Sequence, residues 1–150
     1  MEPKPPSTGL SLVTVQMALV LLIVWPWDDF DGGLIGVPIL LAGVALGLWS
    51  LSANRPGNFN LRPELKANAQ FVTWGPYAHI RHPMYTAVLL VGLGFVISYV
   101  DIFKLVCWVI LLFVLRAKAR LEEDQMAARF PGYRDYAAMT GAFLPKVMIG

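Results

Sequence analysis

Four long apolar runs constrain this chain more than anything else in it: residues 10–27, 34–52, 84–100 and 102–118. A helix needs about 20 apolar residues to cross the roughly 30 Å hydrocarbon core of a bilayer, and these runs approach that length. Hydrocarbon offers no partner for a backbone N–H or C=O, so a segment that crosses it folds as a helix. Composition agrees: 57% of the 150 residues are hydrophobic and only 15% are charged, against roughly 25% charged in soluble domains. The mean hydropathy is +0.58. The expected fold is an all-α integral membrane protein, one domain with four transmembrane helices and a C-terminal helical hairpin extending into the cytosol.

In chain order, residues 1–9 contain Pro3, Pro5 and Pro6 and read as a disordered cytosolic tail. The first run ends in Trp25-Pro26-Trp27, an interfacial anchor rather than a signal-cleavage site. Asp28, Asp29 and Asp31 with Gly32 and Gly33 form a tight acidic turn. In the second run Pro38 falls within the first helical turn, where a missing N–H is tolerated. Gly43 and Gly47 have the small-residue spacing that lets membrane helices approach, read here as packing within the subunit. Residues 53–83 form a long cytosolic loop, punctuated by Asn54, Arg55, Pro56, Gly57, Asn58 and Asn60.

The third and fourth runs are separated by so short a turn that they form an antiparallel hairpin. Asp101 is placed to cap the fourth helix, and Lys104 to snorkel toward the headgroups. Gly92-Leu93-Gly94 has a superficial likeness to a dinucleotide loop but follows no strand. The fourth helix is expected to leave the bilayer and continue to about Arg129. Phe130-Pro131-Gly132-Tyr133 then breaks it, and a short amphipathic helix over residues 134–140 follows.

Basic residues set the orientation. Lys4 precedes the first helix, and Arg55, Arg62, Lys66 and Arg81 lie in the long loop. Arg116, Lys118, Arg120, Arg129, Arg134 and Lys146 follow the last span, while the first turn has no basic residue and the hairpin tip only Lys104. Both termini and the long loop are therefore expected in the cytosol of a multi-pass protein. The net charge of +2 is dispersed, so no nucleic-acid partner is indicated. Cys107 is the lone cysteine, which excludes an intrachain disulfide or a cysteine metal site.

The chemistry concentrates in residues 70–85, where His79, Arg81, His82, Tyr77 and Tyr85 crowd beside membrane-length apolar runs. Ionisable groups in that setting are costly and mark a functional site by default. His79 and His82 lack a third regularly spaced ligand, so no metal is expected. Pro83 suits the first position of the third helix. Arg81 and His82 would then lie beside free helical N–H groups, a cradle for a carboxylate or phosphate. Glu122, on the helix emerging across the hairpin, offers a counter-charge for an ammonium. The bland alternative is an Arg81–Glu122 ion pair at the membrane surface.

Gly75-Pro76-Tyr77 followed by Arg81-His82-Pro83-Met84-Tyr85 resembles the signature of the isoprenylcysteine carboxyl methyltransferase family. So does the later set Glu122-Glu123, Phe130, Gly132, Tyr133, Tyr136 and Pro145. Phospholipid N-methyltransferases share the pattern more loosely. The resemblance covers residues 70–145 and implies a membrane methyltransferase that uses S-adenosyl-L-methionine without a Rossmann domain. It assigns the cofactor to Ala69, Gln70, Phe71 and Val72, largely through backbone, and to Tyr77, His82, Pro83, Met84, Tyr85 and Glu122. It assigns the substrate to Lys118, where eukaryotic members carry an arginine. Lysine keeps the charge and loses the bidentate fork.

Read together, residues and resemblance nominate Arg81, His82 and Glu122 as catalytic. Arg81 and His82 would orient the cofactor, Tyr77 and Tyr85 would wall it, and Glu122 would meet its amino group or ribose. The acceptor would be a lipophilic small molecule or lipidated substrate that enters laterally from the membrane lipids. A carboxylate acceptor needs no base; an amine must be neutral and would use His82 or Glu122. Two rival classes remain: a reductase-like enzyme using a nicotinamide cofactor, and a non-catalytic membrane scaffold.

Overall fold

The computed structural model describes residues 7–26, 33–54 and 70–146. The tail before Ser7, Trp27, the acidic turn at Asp28, Asp29 and Asp31, and Arg55, Arg62, Lys66 and Ala69 of the long loop lie outside the described residues. The described chain forms helices α1 (Ser7–Val24), α2 (Gly36–Ala53), α3 (Pro83–Tyr99), α4 (Ile102–Arg129) and α5 (Tyr133–Met139). Short 3-10 turns occupy Gly33–Ile35 and Gly75–Ala78.

Each helix boundary has a local cause. Pro83 opens α3 at its first position, where its missing N–H has no intrahelical acceptor to lose. At the other end Val100 takes a left-handed conformation, φ 45°, while its N–H donates to Val96 O at 3.0 Å. Asp101 then caps α4 as expected, its carboxylate accepting from Phe103 N at 2.8 Å. Two residues thus reverse the chain between α3 and α4. The polar second half of α4 runs on to Arg129, Phe130 closes it, and α5 starts after Gly132.

The core lies where α1, α3 and α4 meet, with Leu19, Ile23, Leu89, Val96, Cys107, Leu111 and Leu115 buried together. α2 lies mainly on α3, brought close by glycines. A Cβ on Gly36 would sit 2.2 Å from Gly94 O, and one on Gly43 would sit 2.7 Å from Val91 N. Gly43 therefore serves packing within the subunit. A Cβ on Gly47 would meet only Ala87 Cβ at 3.5 Å, ordinary contact.

α2 is long and apolar enough to cross a membrane, and Gly9–Val24 and Pro83–Tyr99 are apolar but shorter. Leu10, Leu21, Leu48 and Phe113 are each more than half exposed. Apolar surface spread over several helices marks association with a membrane. Lys104 departs from expectation. It does not snorkel: it is completely buried, and its ammonium donates to Ile23 O at 3.2 Å and Trp25 O at 2.5 Å. The last turn of α1 lies over that position, so the ammonium meets helix-terminal carbonyls before it can reach headgroups.

Candidate active site

The site is assembled where the Gly75–Ala78 turn, the start of α3, the second half of α4 and the C-terminal segment converge. Gly75 makes the turn possible. Its φ is 62°, and a Cβ there would lie 2.9 Å from Ala53 Cβ, so only glycine brings the turn against the end of α2. The chain then pairs with its own C-terminal segment. Arg81 N donates to Gly141 O at 2.8 Å, His82 N to Ala142 O at 3.0 Å, and Gly141 N to His79 O at 3.4 Å. Thr86 Oγ1 adds a bond to Phe143 O at 2.7 Å. Residues 140–143 thereby form a strap across the start of α3, with the Phe143 ring 6.1 Å from that of His82.

Beneath the strap, five side chains form one polar network. Arg81 Nε donates to Glu123 Oε1 at 2.8 Å, and its Nη1 to Ala137 O at 3.0 Å and to Thr140 O. His82 lies between two carboxylates: Nε2 is 3.0 Å from Glu123 Oε1 and Nδ1 is 3.4 Å from Glu122 Oε2. Only the imidazolium can donate at both nitrogens. The Tyr85 ring stacks on His82 at 5.4 Å, and its hydroxyl donates to Glu122 Oε1. The Arg81–Glu122 pair of the bland alternative does not form: Arg81 takes Glu123, while Glu122 serves His82 and Tyr85.

The titration behaviour follows from these partners. Burial opposes charging His82, but the hydrogen bonds and charges of Glu122 and Glu123 outweigh it and raise its pKa above 6.5. Burial likewise opposes the Glu123 carboxylate, but His82 and Arg81 hold it down to about 2. Burial, with Tyr136 and the Glu122 charge adding to it, pushes Tyr77 up to about 12. Burial also pushes Tyr136 up to about 12. At neutral pH these two phenols are proton donors rather than bases. Tyr136 uses its hydroxyl to donate to Tyr77 O at 2.6 Å, holding the turn.

Lys118 joins the network from α4, four residues before Glu122. It is 1% exposed, its ammonium stands 5.1 Å from the centre of the Tyr85 ring, and it donates to Gln16 Oε1 at 2.6 Å. Cation–ring contacts of this kind strengthen away from water.

Other nominated residues are placed differently. Phe71 packs among Phe130, Tyr133 and Tyr136, with Val72 buried and Gln70 exposed. Phe71 also lines a cavity of about 600 Å³, with Thr73, His79, Asp135 and Thr140. His79 is exposed there, apart from His82. Pro83 is buried, and Met84 faces α2 rather than the network. Among the described residues no group of three His, Cys, Asp or Glu side chains is placed to hold a metal ion. Glu123 belongs to the resembling set but has no role assigned to it there, and Gln16, a lone amide inside an apolar run, and the strap are absent from the sequence reading of the site. The strap carries no periodic signal.

An all-helical, membrane-associated chain with this network defines a class, and comparison places it. The sequence profile of the phospholipid methyltransferase family matches residues 33–132, and the chain belongs to that family. The nickel-cobalt-cadmium resistance protein NccN of Alcaligenes xylosoxydans xylosoxydans is 30% identical over 94% of this chain and 65% of its own length. The cobalt-zinc-cadmium resistance protein CzcN of Cupriavidus metallidurans is 34% identical over 56% of this chain and 39% of its own length. The chain spans less than two thirds of either relative.

Proposed function

We propose that this protein is a multi-pass membrane enzyme that methylates a lipophilic acceptor at the expense of S-adenosyl-L-methionine, in the manner of isoprenylcysteine carboxyl methyltransferases. The observation that carries the reading is His82 held between Glu122 and Glu123, with Tyr85 and the buried Lys118 beside it. The donor set fits the cofactor's polar end: Glu122 suits an ammonium, Tyr77 and Tyr85 offer aromatic walls, and the family resemblance gives the backbone of Ala69, Gln70, Phe71 and Val72 to the cofactor. When bound, the cofactor supplies a methyl group on a sulfonium, already activated for displacement. The protein's task is alignment, which is worth roughly 7–11 kcal/mol of barrier. Arg81 acts by positioning, since its donors hold Glu123 and the strap.

A carboxylate acceptor is the better match to this electrostatics. It is nucleophilic without a base, and Lys118 offers it a cation. His82, claimed at both nitrogens, is a poor base near neutral pH. The second reading, phospholipid N-methylation, is supported by the family match; Glu122 would then serve the amine. Four apolar helices with outward apolar faces support a multi-pass arrangement, and the basic-residue distribution supports a cytosolic site and cytosolic termini. Calorimetric titration of S-adenosylmethionine and S-adenosylhomocysteine into purified protein tests the reading, with His82→Ala and Glu122→Ala alongside. Both substitutions are expected to weaken binding about tenfold or more, the scale of a lost charged hydrogen bond. A folded wild type that binds neither compound, in detergent or in lipid, would end it.

A further inference from the structure

At Lys118 three helices meet through their side chains. The ammonium donates to Gln16 Oε1 of α1 at 2.6 Å and stands 5.1 Å from the centre of the Tyr85 ring of α3. Glu122 lies four residues further along α4, on the same face of that helix. Its two oxygens face the Tyr85 hydroxyl and His82 Nδ1. Gln16 and Lys118 are both buried, at 5% and 1% exposure. Gln16 precedes the residues that the family profile matches, so the profile gives it no part in the site.

A glutamine in the middle of an apolar helix is costly to bury unless its amide finds a partner. Apolar residues at positions 16 and 118 would tie α1 to α4 with no polar group to satisfy, and such replacements are often neutral or stabilising. Backbone cannot stand in for the amide here as it does for Lys104. Ile23 and Trp25 lie at the end of α1, where carbonyls are open, whereas those around Gln16 are taken up by the helix. The choice of an amide over a carboxylate is the informative part. Glutamate would hold the ammonium equally well and cancel its charge; glutamine accepts the hydrogen bond and leaves the charge in place. We infer that Gln16 is a positioning residue that fixes the Lys118 ammonium over Tyr85 as an uncancelled charge for an anionic methyl acceptor. This inference rests on the methyltransferase reading above. In that transfer a carboxylate oxygen takes the methyl group, and the methyl–sulfur bond breaks with its electron pair going to sulfur. A methyl ester and S-adenosylhomocysteine result, and no proton moves.

The test supplies a carboxylate and an amine together, as phosphatidylethanolamine vesicles containing palmitic acid. The full chain is incubated with them and with S-adenosylmethionine tritiated in its methyl group. Carboxyl methyl esters release their label as methanol in mild alkali, whereas N-methyl groups keep it in the lipid. Wild type is expected to give mainly alkali-labile label. Gln16→Glu should keep the melting temperature at or above that of wild type, because the hydrogen bond becomes an ion pair. It should nevertheless lower the ratio of labile to stable label about tenfold or more, the scale of a lost charged contact. Gln16→Met, which keeps the length and loses the acceptor, should lower the ratio as well. A purely structural tie would not move this ratio, since a smaller folded fraction lowers both labels equally. A wild-type ratio in Gln16→Glu would therefore overturn the inference and leave Gln16 a fastener of α1 to α4. A wild type that binds S-adenosylmethionine but leaves palmitic acid unlabelled would overturn it equally. Failure of the wild type to bind S-adenosylmethionine is a separate result: it removes the methyltransferase reading and the acceptor with it.

Discussion

α4 carries two lysines, Lys104 and Lys118, that stand on nearly the same face of the helix and are 0% and 1% exposed. At the hairpin end Lys104 meets backbone: the carbonyls of Ile23 and Trp25, with the Tyr99 ring 4.9 Å away. Near the network Lys118 meets side chains: Gln16 and the face of Tyr85, which in turn holds Glu122. Carbonyls at a helix end need a donor whatever the protein does. An ammonium held by a neutral amide and a ring face is a dearer arrangement, because burying a charge costs several kcal/mol unless it is well compensated. The comparison teaches that burial alone does not mark a site; the identity of the partner does. Lys104 is a clamp between α1 and α4, whereas the proposed function gives Lys118 a part in the chemistry.

Replacing each lysine by methionine should separate the two roles. Lys118→Met is expected to lower turnover on the order of a hundredfold, the range for loss of a charge that stabilises a reacting group. Its effect on thermal stability should be small, and Gln16→Leu added to it should recover that stability by removing the stranded amide, without restoring turnover. Recovery of turnover in the double variant would turn Lys118 into another clamp. Lys104→Met should do the reverse. It takes a donor from two carbonyls, about 2–3 kcal/mol together, read as a lowered melting temperature, while the folded fraction keeps its turnover.

Much of this was legible in the sequence, and the boundary of legibility is physical. Apolar runs, Pro83 at a helix start, Asp101 at a cap and the Phe130-Pro131-Gly132 break are local signals, and local sterics and hydrogen bonding settle them. That α3 and α4 form a hairpin follows from the short turn, and it brings Arg81, His82 and Tyr85 to the pair Glu122 and Glu123. Which acid each base takes was not legible. Neighbouring helical residues differ by about 100° in direction, and that rotation decides whether Arg81 meets Glu122 or Glu123. Lys104 was misread for a similar reason, since its partner belongs to a helix some eighty residues away in sequence. The strap at residues 140–143 has neither helical nor strand periodicity, and its hydrogen bonds form only once α3 exists to receive them.

The network end should also differ from the clamp end in its response to pH. Glu123 titrates near 2 when folded against 4.5 as a free group, so its stabilisation is present above pH 4.5 and is lost as pH falls from 4.5 toward 2. The His82 pKa is raised, so its stabilisation is complete below 6.5 and is lost as pH rises through the folded value. Melting temperature is therefore expected to be greatest between pH 4.5 and 6.5 and to fall on both sides. Glu123→Gln should flatten the acid side, and Lys104→Met should lower the whole profile without changing its shape. An unchanged acid limb in Glu123→Gln would remove that carboxylate from the fold's stability.

The smallest expected effect sits beside the clamp. Val100 is the only non-glycine with positive φ among the described residues, at 45°, and its side chain is exposed. A β-branched residue crowds the following carbonyl in that conformation, a strain of roughly 1–2 kcal/mol that glycine lacks. Glycine also gives up more backbone freedom on folding, so the net gain from Val100→Gly should stay below about 1 kcal/mol. The turn lies a full hairpin away from His82, and nothing in it touches the network. Melting temperature should therefore rise slightly and turnover should not change. A change in turnover would mean that strain at the hairpin tip is transmitted along α3 to the site, and the clean division between the two ends of α4 would be lost.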